Sequence, residues 1–478
     1  MIPISENEIL DRFRFDNPWW ENNKIERRFE NLPRRAYYSM FHQLLIDRSI
    51  NRAIILMGPR RVGKTVLVYH SISKLLEGSI SSTQILYLSL ETPIYTGLRL
   101  EKIVTIFLKL HTHNRDSKLY IFFDEIQYHK DWEVHLKSLV DTFPNFRFIA
   151  TGSAAAALRL KSKESGAGRF TDFLLPPLTF NEYLSFIGKT EELIEKEKSG
   201  CIINYSTSDI SSLNKHFINY LNFGGYPEAV FSETIQKDTE RFIKSDIIDK
   251  VLLRDLPNLY GVTDIQELNK LFTVIAYNTG QEISLEQLSQ GAGIVKNTLR
   301  RYIEYLEAAF LIKIVNRVDS NSKKFKRATS FKVYLTNPSM RAALFGPIDN
   351  DHQAMGALTE TAIYAQWFHS ETINNLFYAR WKKGEVDIIN LLSSNQKPSW
   401  CVEVKWSDLA YSDNRKISGL IEFINKNNLE LEALVTTKTI SGNKIINGHN
   451  IEFKPSALYT YLLGANIQSN IKQRNFVN

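Results

Sequence analysis

From Ala53 onward the chain sets short apolar runs between amphipathic stretches. AIILM (Ala53–Met57), ILYLSL (Ile85–Leu90), LYIFF (Leu119–Phe123) and FRFIAT (Phe146–Thr151) are of strand length. Runs this apolar suit parallel strands covered on both faces, and the helical stretches between them repeat a βαβ unit, so the predicted fold class is α/β. Past Ser153 the pattern turns irregular, with Gly166, Gly168, Pro176 and Pro177, and then mostly helical to about Tyr260. A compact helical unit is predicted from about Asp264 to Val318. From about Val333 to the end, strand and helix alternate again. No internal repeat and no low-complexity tract interrupts this order.

Composition narrows the class. Of 478 residues, 43% are hydrophobic and 23% charged, which excludes a disordered or collagen-like chain. Cys201 and Cys401 stand far apart with no CxxC pair, so neither a zinc site nor a disulfide framework is expected. MIPISENEIL lacks a basic segment before an apolar core, and no apolar run nears the roughly 20 residues of a membrane span. A cytoplasmic protein with no membrane partner is expected. The net charge of +7 permits a polyanionic partner without demanding one.

Chemistry enters at Gly58-Pro59-Arg60-Arg61-Val62-Gly63-Lys64-Thr65, which fits G-x-x-x-x-G-K-[ST] directly after an apolar strand and before a predicted helix. Such a loop curls so that successive N–H groups and the helix N-terminus face phosphates. Lys64 adds charge for the β- and γ-phosphates and Thr65 a hydroxyl for Mg²⁺, so ATP and Mg²⁺ are the expected ligands. Asp124 closes the apolar run Ile121-Phe122-Phe123, where a carboxylate is costly unless it serves an ion. It is read as a Mg²⁺ ligand, and Glu125 as the general base for the attacking water. At the end of the next strand, within Thr151-Gly152-Ser153, Ser153 is placed to sense the γ-phosphate or that water. A turn of small residues accounts for these three equally well.

With GPRRVGKT, FFDEIQYHKDWE, ATGSAAAAL, SGAGRF, LPPLTFNEYL and FGGYPEAV, the chain resembles a widespread prokaryotic family. Its members are AAA+-type P-loop ATPases whose C-terminal domain resembles restriction endonucleases. The resemblance runs from NPWW at Asn17–Trp20 to EVK at Glu403–Lys405. It implies Mg²⁺-dependent ATP binding and hydrolysis, and it draws attention to Arg169 as an arginine finger acting on a neighbour's nucleotide in a homo-oligomer. The plainer reading pairs Arg169 with an acid such as Asp172 of its own chain. Phe223-Gly224-Gly225-Tyr226-Pro227-Glu228 could reach the nucleotide from a helical lid, but it reads more simply as a helix cap and turn.

Ile283–Leu288 opens a short helix with Ser284 as N-cap, Gly291 and Gly293 make a turn, and a longer helix covers Val295–Ile312 before a strand at Leu311–Val318. That order reads as a winged helix-turn-helix. The second helix presents Lys296, Asn297, Thr298, Arg300 and Arg301, and the wing carries Lys323, Lys324, Lys326 and Arg327, with Phe325 and Phe331 to stack or pack. Lys296–Lys332 holds ten basic against three acidic residues, an excess equal to that of the whole chain. DNA is the partner this segment suggests; a packing module with a solvated basic loop is the alternative.

In Gly384–Ile389 and Trp400–Lys405 strand alternation puts Glu385 with Asp387, and Glu403 with Lys405, on common faces. Paired strands would bring Asp387, Glu403 and Lys405 together in the D…E-x-K pattern of the restriction-endonuclease-like fold, with Glu360 on a preceding helix as the further carboxylate. Asp387, Glu403 and Glu360 would hold Mg²⁺ and Lys405 would orient the nucleophile. Val386 stands where many nucleases have proline. A salt-bridged amphipathic hairpin, a catalytically silent scaffold, is the alternative. The expected order is thus 1–180 ATPase domain with an N-terminal extension, 181–262 helical lid or linker, 263–332 winged helix and 333–478 nuclease-like domain.

Overall fold

A computed structural model describes residues 5–152, 168–199, 202–325, 330–427 and 432–474. The chain divides into two compact units, Met1–Pro176 and Pro177–Asn478.

In the first unit five parallel strands lie in the order β2-β3-β4-β1-β5: β1 (Ala53–Met57), β2 (Ile85–Ser89), β3 (Tyr120–Asp124), β4 (Arg147–Gly152) and β5 (Phe170–Leu174). β1, β3 and β4 are buried along their whole length, as strands apolar on both faces must be. Because β4 lies between β1 and β3, the carboxyl ends of these strands stand side by side: the loop after Met57, then Thr151, then Asp124. β5 falls where the sequence reads as irregular. It is an edge strand in which only Phe173 is buried, so Phe-Thr-Asp-Phe-Leu carries no apolar run.

The opposite edge, β2, is closed by the N-terminal segment. Asn17 Nδ2 donates to the Tyr87 carbonyl at 2.9 Å and its Oδ1 accepts the Tyr87 N–H at 2.7 Å, so one side-chain amide replaces a neighbouring strand. The indoles of Trp19 and Trp20 both donate to the Ile85 carbonyl, at 3.3 and 2.9 Å. Arg147, buried at the start of β4, donates to the carbonyls of Ile50, Arg52 and Leu44 and so fastens the chain leading into β1.

The second unit is built on a nine-stranded mixed sheet. Its strands are β8 (Glu282–Ser284), β9 (Ile312–Val318), β10 (Ser330–Leu335), β11 (Leu376–Trp381), β12 (Gly384–Leu391), β13 (Pro398–Glu403), β14 (Glu432–Thr437), β15 (Gly442–Ile446) and β16 (His449–Pro455), in the order β15-β16-β14-β13-β12-β11-β9-β10-β8. The segment expected to be mostly helical also contains a hairpin, β6 (Glu195–Ser199) with β7 (Ile202–Ser206). Its Glu-Lys-Glu-Lys alternation has no apolar face to announce a strand.

Helix Ile265–Tyr277, β8, helices Leu285–Ala292 and Lys296–Ala308, and the antiparallel pair β9/β10 follow in sequence. Ser284 accepts the Gln287 N–H at 3.1 Å as the expected N-cap. Gly293, at φ +74°, ends the first of these two helices, whereas Gly291 lies inside it. The expected boundary between 332 and 333 is corrected: it cuts through β10, and β9 pairs in parallel with β11, so this hairpin and the C-terminal strands share one sheet. The Gly224–Pro227 turn is a helix cap. Gly224 caps helix Ile210–Phe223, and Pro227 opens helix Pro227–Phe231. A Cβ on Gly225 would meet the Asn337 amide at 2.1 Å, so only glycine fits there.

Replacing Arg147 by methionine removes the guanidinium donor from the Leu44 and Arg52 carbonyls and one of the two donors from the Ile50 carbonyl. Arg147→Met should lower the stability of the first unit by roughly 2–4 kcal/mol, read from the shift in its chemical denaturation midpoint. A shift below about 0.5 kcal/mol would show that water replaces the guanidinium.

Candidate nucleotide site and a buried carboxylate–lysine cluster

The first site is assembled at the carboxyl edge of the parallel sheet. Gly58 leaves β1 beneath the Leu175 carbonyl, which a Cβ would strike at 2.2 Å. Gly63, at φ +94°, is the N-cap of helix Lys64–Glu77. Lys64 is buried and its Nζ donates to the Gly58 and Pro59 carbonyls at 3.0 and 2.8 Å. Arg60 donates to the Tyr128 hydroxyl at 2.7 Å, and Arg35 holds the loop from behind through the Val62 carbonyl at 2.6 Å.

Asp124 is buried at the end of β3, and three hydroxyls converge on it. Thr65 Oγ1 and the Tyr87 phenol donate to Oδ2 at 2.9 and 2.7 Å, and Thr151 Oγ1 donates to Oδ1. Burial and the neighbouring Glu125 charge push the Asp124 carboxyl above its ordinary pKa, and the hydroxyls act against that shift. A carboxylate and a threonine hydroxyl within hydrogen-bond distance are the hard oxygen donors that Mg²⁺ prefers, so Thr65 and Asp124 fit this ion.

Glu125 adopts the left-handed conformation at φ +55°; its N–H donates to Thr151 Oγ1 at 3.2 Å, and its carboxylate accepts from the Gln127 amide. Of the Thr151-Gly152-Ser153 element, the residue that sequence reasoning did not choose is Thr151, whose single hydroxyl touches both acidic residues. Its signal was a polar residue ending an apolar strand. Ser153, expected in this role, lies outside the described residues. Arg169 does not join its own chain's loop. It precedes β5 at the amino edge of the sheet, about 16 Å of strand away, and its Nε donates to Asp141, not Asp172, at 2.6 Å.

The second site lies within the second unit, in a pocket of about 570 Å³ lined by Glu282, Lys332, Glu360, Arg380, Glu385, Asp387, Glu403 and Lys405 among others. The expected set of Asp387, Glu403, Lys405 and Glu360 does come together here. Lys405 Nζ stands 2.6 Å from Glu403 Oε1, and Asp387 Oδ2 accepts the Val404 N–H at 2.9 Å.

What the sequence did not show is the side chain at the centre. Lys332, on β10 and only 2% exposed, reaches Glu360 Oε1 at 2.8 Å, Glu385 Oε1 at 2.7 Å and Asp387 Oδ1 at 3.0 Å. The Tyr334 phenol donates to the same Glu360 oxygen at 2.5 Å. Lys332 was counted among the DNA-facing cations. It is withdrawn from that set because buried carboxylates neutralise it. The signal that could have found it is Lys332 and Tyr334 at alternate positions of an otherwise apolar strand.

Burial sets the electrostatics of the cluster. Desolvation, with Asp387 close by, raises the Glu360 carboxyl to about 7 and the Glu403 carboxyl to about 8. Asp387 is equally buried, but Lys332 and Lys405 hold it below the ordinary carboxylate range. Glu403 Oε2 is buried with no hydrogen-bond partner. Among the described residues no group of three or more His, Cys, Asp or Glu side chains is disposed to hold a metal ion. With the Lys332 ammonium among them, Glu360, Asp387 and Glu403 do not fit a metal as they stand.

The expected nucleic-acid face is partly redistributed. Asn297, Arg300 and Arg301 are exposed on helix Lys296–Ala308, Thr298 is half-buried, and Lys296, also exposed, pairs with Glu286 at 3.2 Å. Lys313 pairs with Glu307 at 2.8 Å, and Lys324 lies 4.6 Å over the Phe377 ring. Lys323 is exposed, whereas Lys326 and Arg327 lie outside the described residues. Phe331 packs in the interior, and Phe325 is exposed beneath Arg317. No described helix is long and apolar enough to cross a membrane.

Comparison with known proteins agrees with the first site. Residues 50–184 match the family model of an AAA domain, and residues 214–351 match a model described only as a domain of unknown function. An uncharacterized protein of Methanocaldococcus jannaschii is 24% identical over 83% of this chain and 80% of its own length. One of Haemophilus influenzae is 26% identical over 64% of this chain and 72% of its own. The crystal structure of Cdc6p from Pyrobaculum aerophilum aligns with 71% of this chain and 98% of its own at 12% identity; its TM-score of 0.29 is too low to argue from. The AAA-domain match, with the parallel sheet and the Gly58–Thr65 loop, makes the first unit an AAA-type P-loop ATPase domain.

Because Glu403 holds its proton more tightly folded than unfolded, it makes stability fall as pH rises from about 4.5 to about 8. Glu403→Gln should flatten that part of the stability profile, measured by chemical denaturation across this range. An unchanged slope would mean that Glu403 titrates like an exposed glutamate.

Proposed function

We propose that the protein is a Mg²⁺-dependent ATPase whose ATP turnover is coupled to DNA binding or processing by its second unit. The observation that carries the ATPase reading is the set of three hydroxyls, from Thr65, Tyr87 and Thr151, gathered on the buried Asp124 beside the phosphate loop. In this reading the backbone of Gly58–Thr65 and the Lys64 ammonium bind the phosphates. Thr65 and Asp124 hold Mg²⁺, which supplies neutralising charge at the β- and γ-phosphates. Glu125 takes the proton of the attacking water, and Thr151 fixes the Glu125 backbone while Ser153 senses the γ-phosphate. Arg169, remote from its own loop, serves a neighbouring subunit's nucleotide in a homo-oligomer.

Lys64→Ala should abolish ATP binding, followed with a fluorescent nucleotide. Glu125→Gln should keep binding and lose roughly 10²–10⁴-fold in kcat. Wild-type turnover by the Glu125 variant would remove that residue from the mechanism.

The DNA part of the proposal rests on helix Lys296–Ala308. We read its surroundings, helix–strand–helix–helix–hairpin, as a winged helix that offers Asn297, Arg300 and Arg301 to a duplex. Arg300→Ala and Arg301→Ala should each weaken duplex binding and lower the logarithmic salt slope by about 1. A salt slope unaltered in both variants would exclude this face.

The C-terminal part of the second unit, from helix Met355–Gln366 onward, is read as nuclease-like. Helix Met355–Gln366, the meander β11–β13, helix Ser418–Asn427 and the return of β14 parallel to β13 support this reading. The Lys332 ammonium amid the carboxylates favours a second reading, in which this domain is a catalytically silent scaffold and ATP turnover drives a switch toward a protein partner. Mg²⁺-dependent nicking of DNA that Asp387→Ala abolishes would decide for processing, and its absence for the scaffold.

A further inference from the structure

The Lys332 ammonium has three N–H donors, and three carboxylates stand round it, those of Glu360, Glu385 and Asp387 at 2.7–3.0 Å. Two of the donors go to Glu360 and Asp387 as hydrogen bonds and Glu385 adds an ion pair, in a site where the lysine side chain is 2% exposed. The Tyr378 ring closes a further side, its centroid 5.4 Å from Nζ. Several of the oxygens that a divalent ion would use are already engaged. Asp387 gives Oδ1 to the lysine and Oδ2 to the Val404 N–H, and Glu360 Oε1 is shared by Lys332 and Tyr334. Glu403 Oε2 is buried without a hydrogen-bond partner and Glu360 Oε2 accepts no hydrogen bond, but an ammonium 2.8 Å from Glu360 and 3.0 Å from Asp387 repels any second cation brought to these carboxylates.

We infer that Lys332 is the resident cation of this cluster, a side-chain ammonium in the place of a divalent metal, and that it keeps the pocket closed to metal while it is there. The inference rests on the second reading above and sharpens it: the C-terminal domain is silent because its counter-ion is covalently attached on β10. Buried carboxylates brought together from β12 and helix Met355–Gln366 repel one another unless a cation lies between them, so the cluster needs one positive group for stability. The lysine meets that need without an exchangeable ion. Removing the ammonium should turn the same oxygens into a site for a hard divalent cation.

The test uses the full chain without nucleotide, in an Asp124→Asn background that silences the phosphate-loop metal ligand, and follows Mn²⁺ binding by electron paramagnetic resonance and calorimetry. With Lys332 intact, no Mn²⁺ should bind that a further Asp387→Asn change removes. Lys332→Met should create one such site, at least about tenfold tighter than any residual binding, and Mn²⁺ should raise its melting temperature. Because Lys332→Met leaves buried charge and could fail to fold, Lys332→Met with Glu385→Gln removes one charge of each sign and should gain the same site. Mn²⁺ held at Asp387 with Lys332 present would overturn the inference, as would failure of the folded lysine-free variants to bind it. A parallel nicking assay separates the two claims. With Lys332 intact, Mn²⁺ bound at Asp387 without cleavage defeats the inference and leaves the silent reading standing, whereas cleavage without Mn²⁺ at Asp387 defeats the silent reading and leaves the inference.

Discussion

A carboxylate taken out of water must be given hydrogen bonds or a cation, and both candidate sites of this protein are answers to that demand. In the first unit the carboxylate is Asp124, buried at the end of a fully buried strand, and the answer is three neutral hydroxyls. Each comes from a different place: Thr65 from the helix after the phosphate loop, Tyr87 from the edge strand and Thr151 from the strand between. The strand order puts them there. With β4 inserted between β1 and β3, one carboxylate can be reached from both sides, and Thr151 can also hold the backbone of Glu125.

In the second unit the same demand is met by charge. Four carboxylates, Glu360, Glu385, Asp387 and Glu403, line a pocket with Lys332 and Lys405, and burial splits their behaviour. Asp387, facing both lysines, stays ionised, while Glu360 and Glu403 are pushed up toward neutral pH. Hydroxyls leave a carboxylate able to accept a metal, whereas an ammonium competes for the same oxygens. Two sites rich in acidic residues therefore differ in kind. The contrast lies in which partner the fold supplies, not in the number of acids.

The phosphate loop and Asp124 were legible because their chemistry is contiguous: a glycine-framed loop after one apolar run, and an acid ending another. The first four strands were found to within a residue for the same reason, whereas β5 and the Glu195–Ser206 hairpin lack apolar runs. Asp387, Glu403 and Lys405 could be grouped because alternation along two strands fixes which residues share a face. Lys332 could not be, since its place depends on β10 lying two strands from β11 in a sheet shared with the helical unit, a pairing that no local pattern encodes. A basic residue in a basic stretch read as surface, and only the fold turned it inward. Arg169 shows the converse: the motif marked the residue, but its partner Asp141 lies 28 positions upstream and was unpredictable from spacing.

The Asn17 amide that closes β2 joins two otherwise separate matters, the boundary of the first unit and the alignment of the buried Asp124 carboxylate. Asn17 grips the backbone of Tyr87, and the phenol of that same residue grips Asp124. The match to the AAA-domain model begins at residue 50, beyond this amide, both tryptophans and Arg35. A chain started at that point would keep every residue of the phosphate motif and yet expose a bare strand edge, with Tyr87 freed on one side. The minimal folded unit is therefore longer than the minimal recognisable one, and the forty-odd residues ahead of the match act as the outermost rib of the sheet.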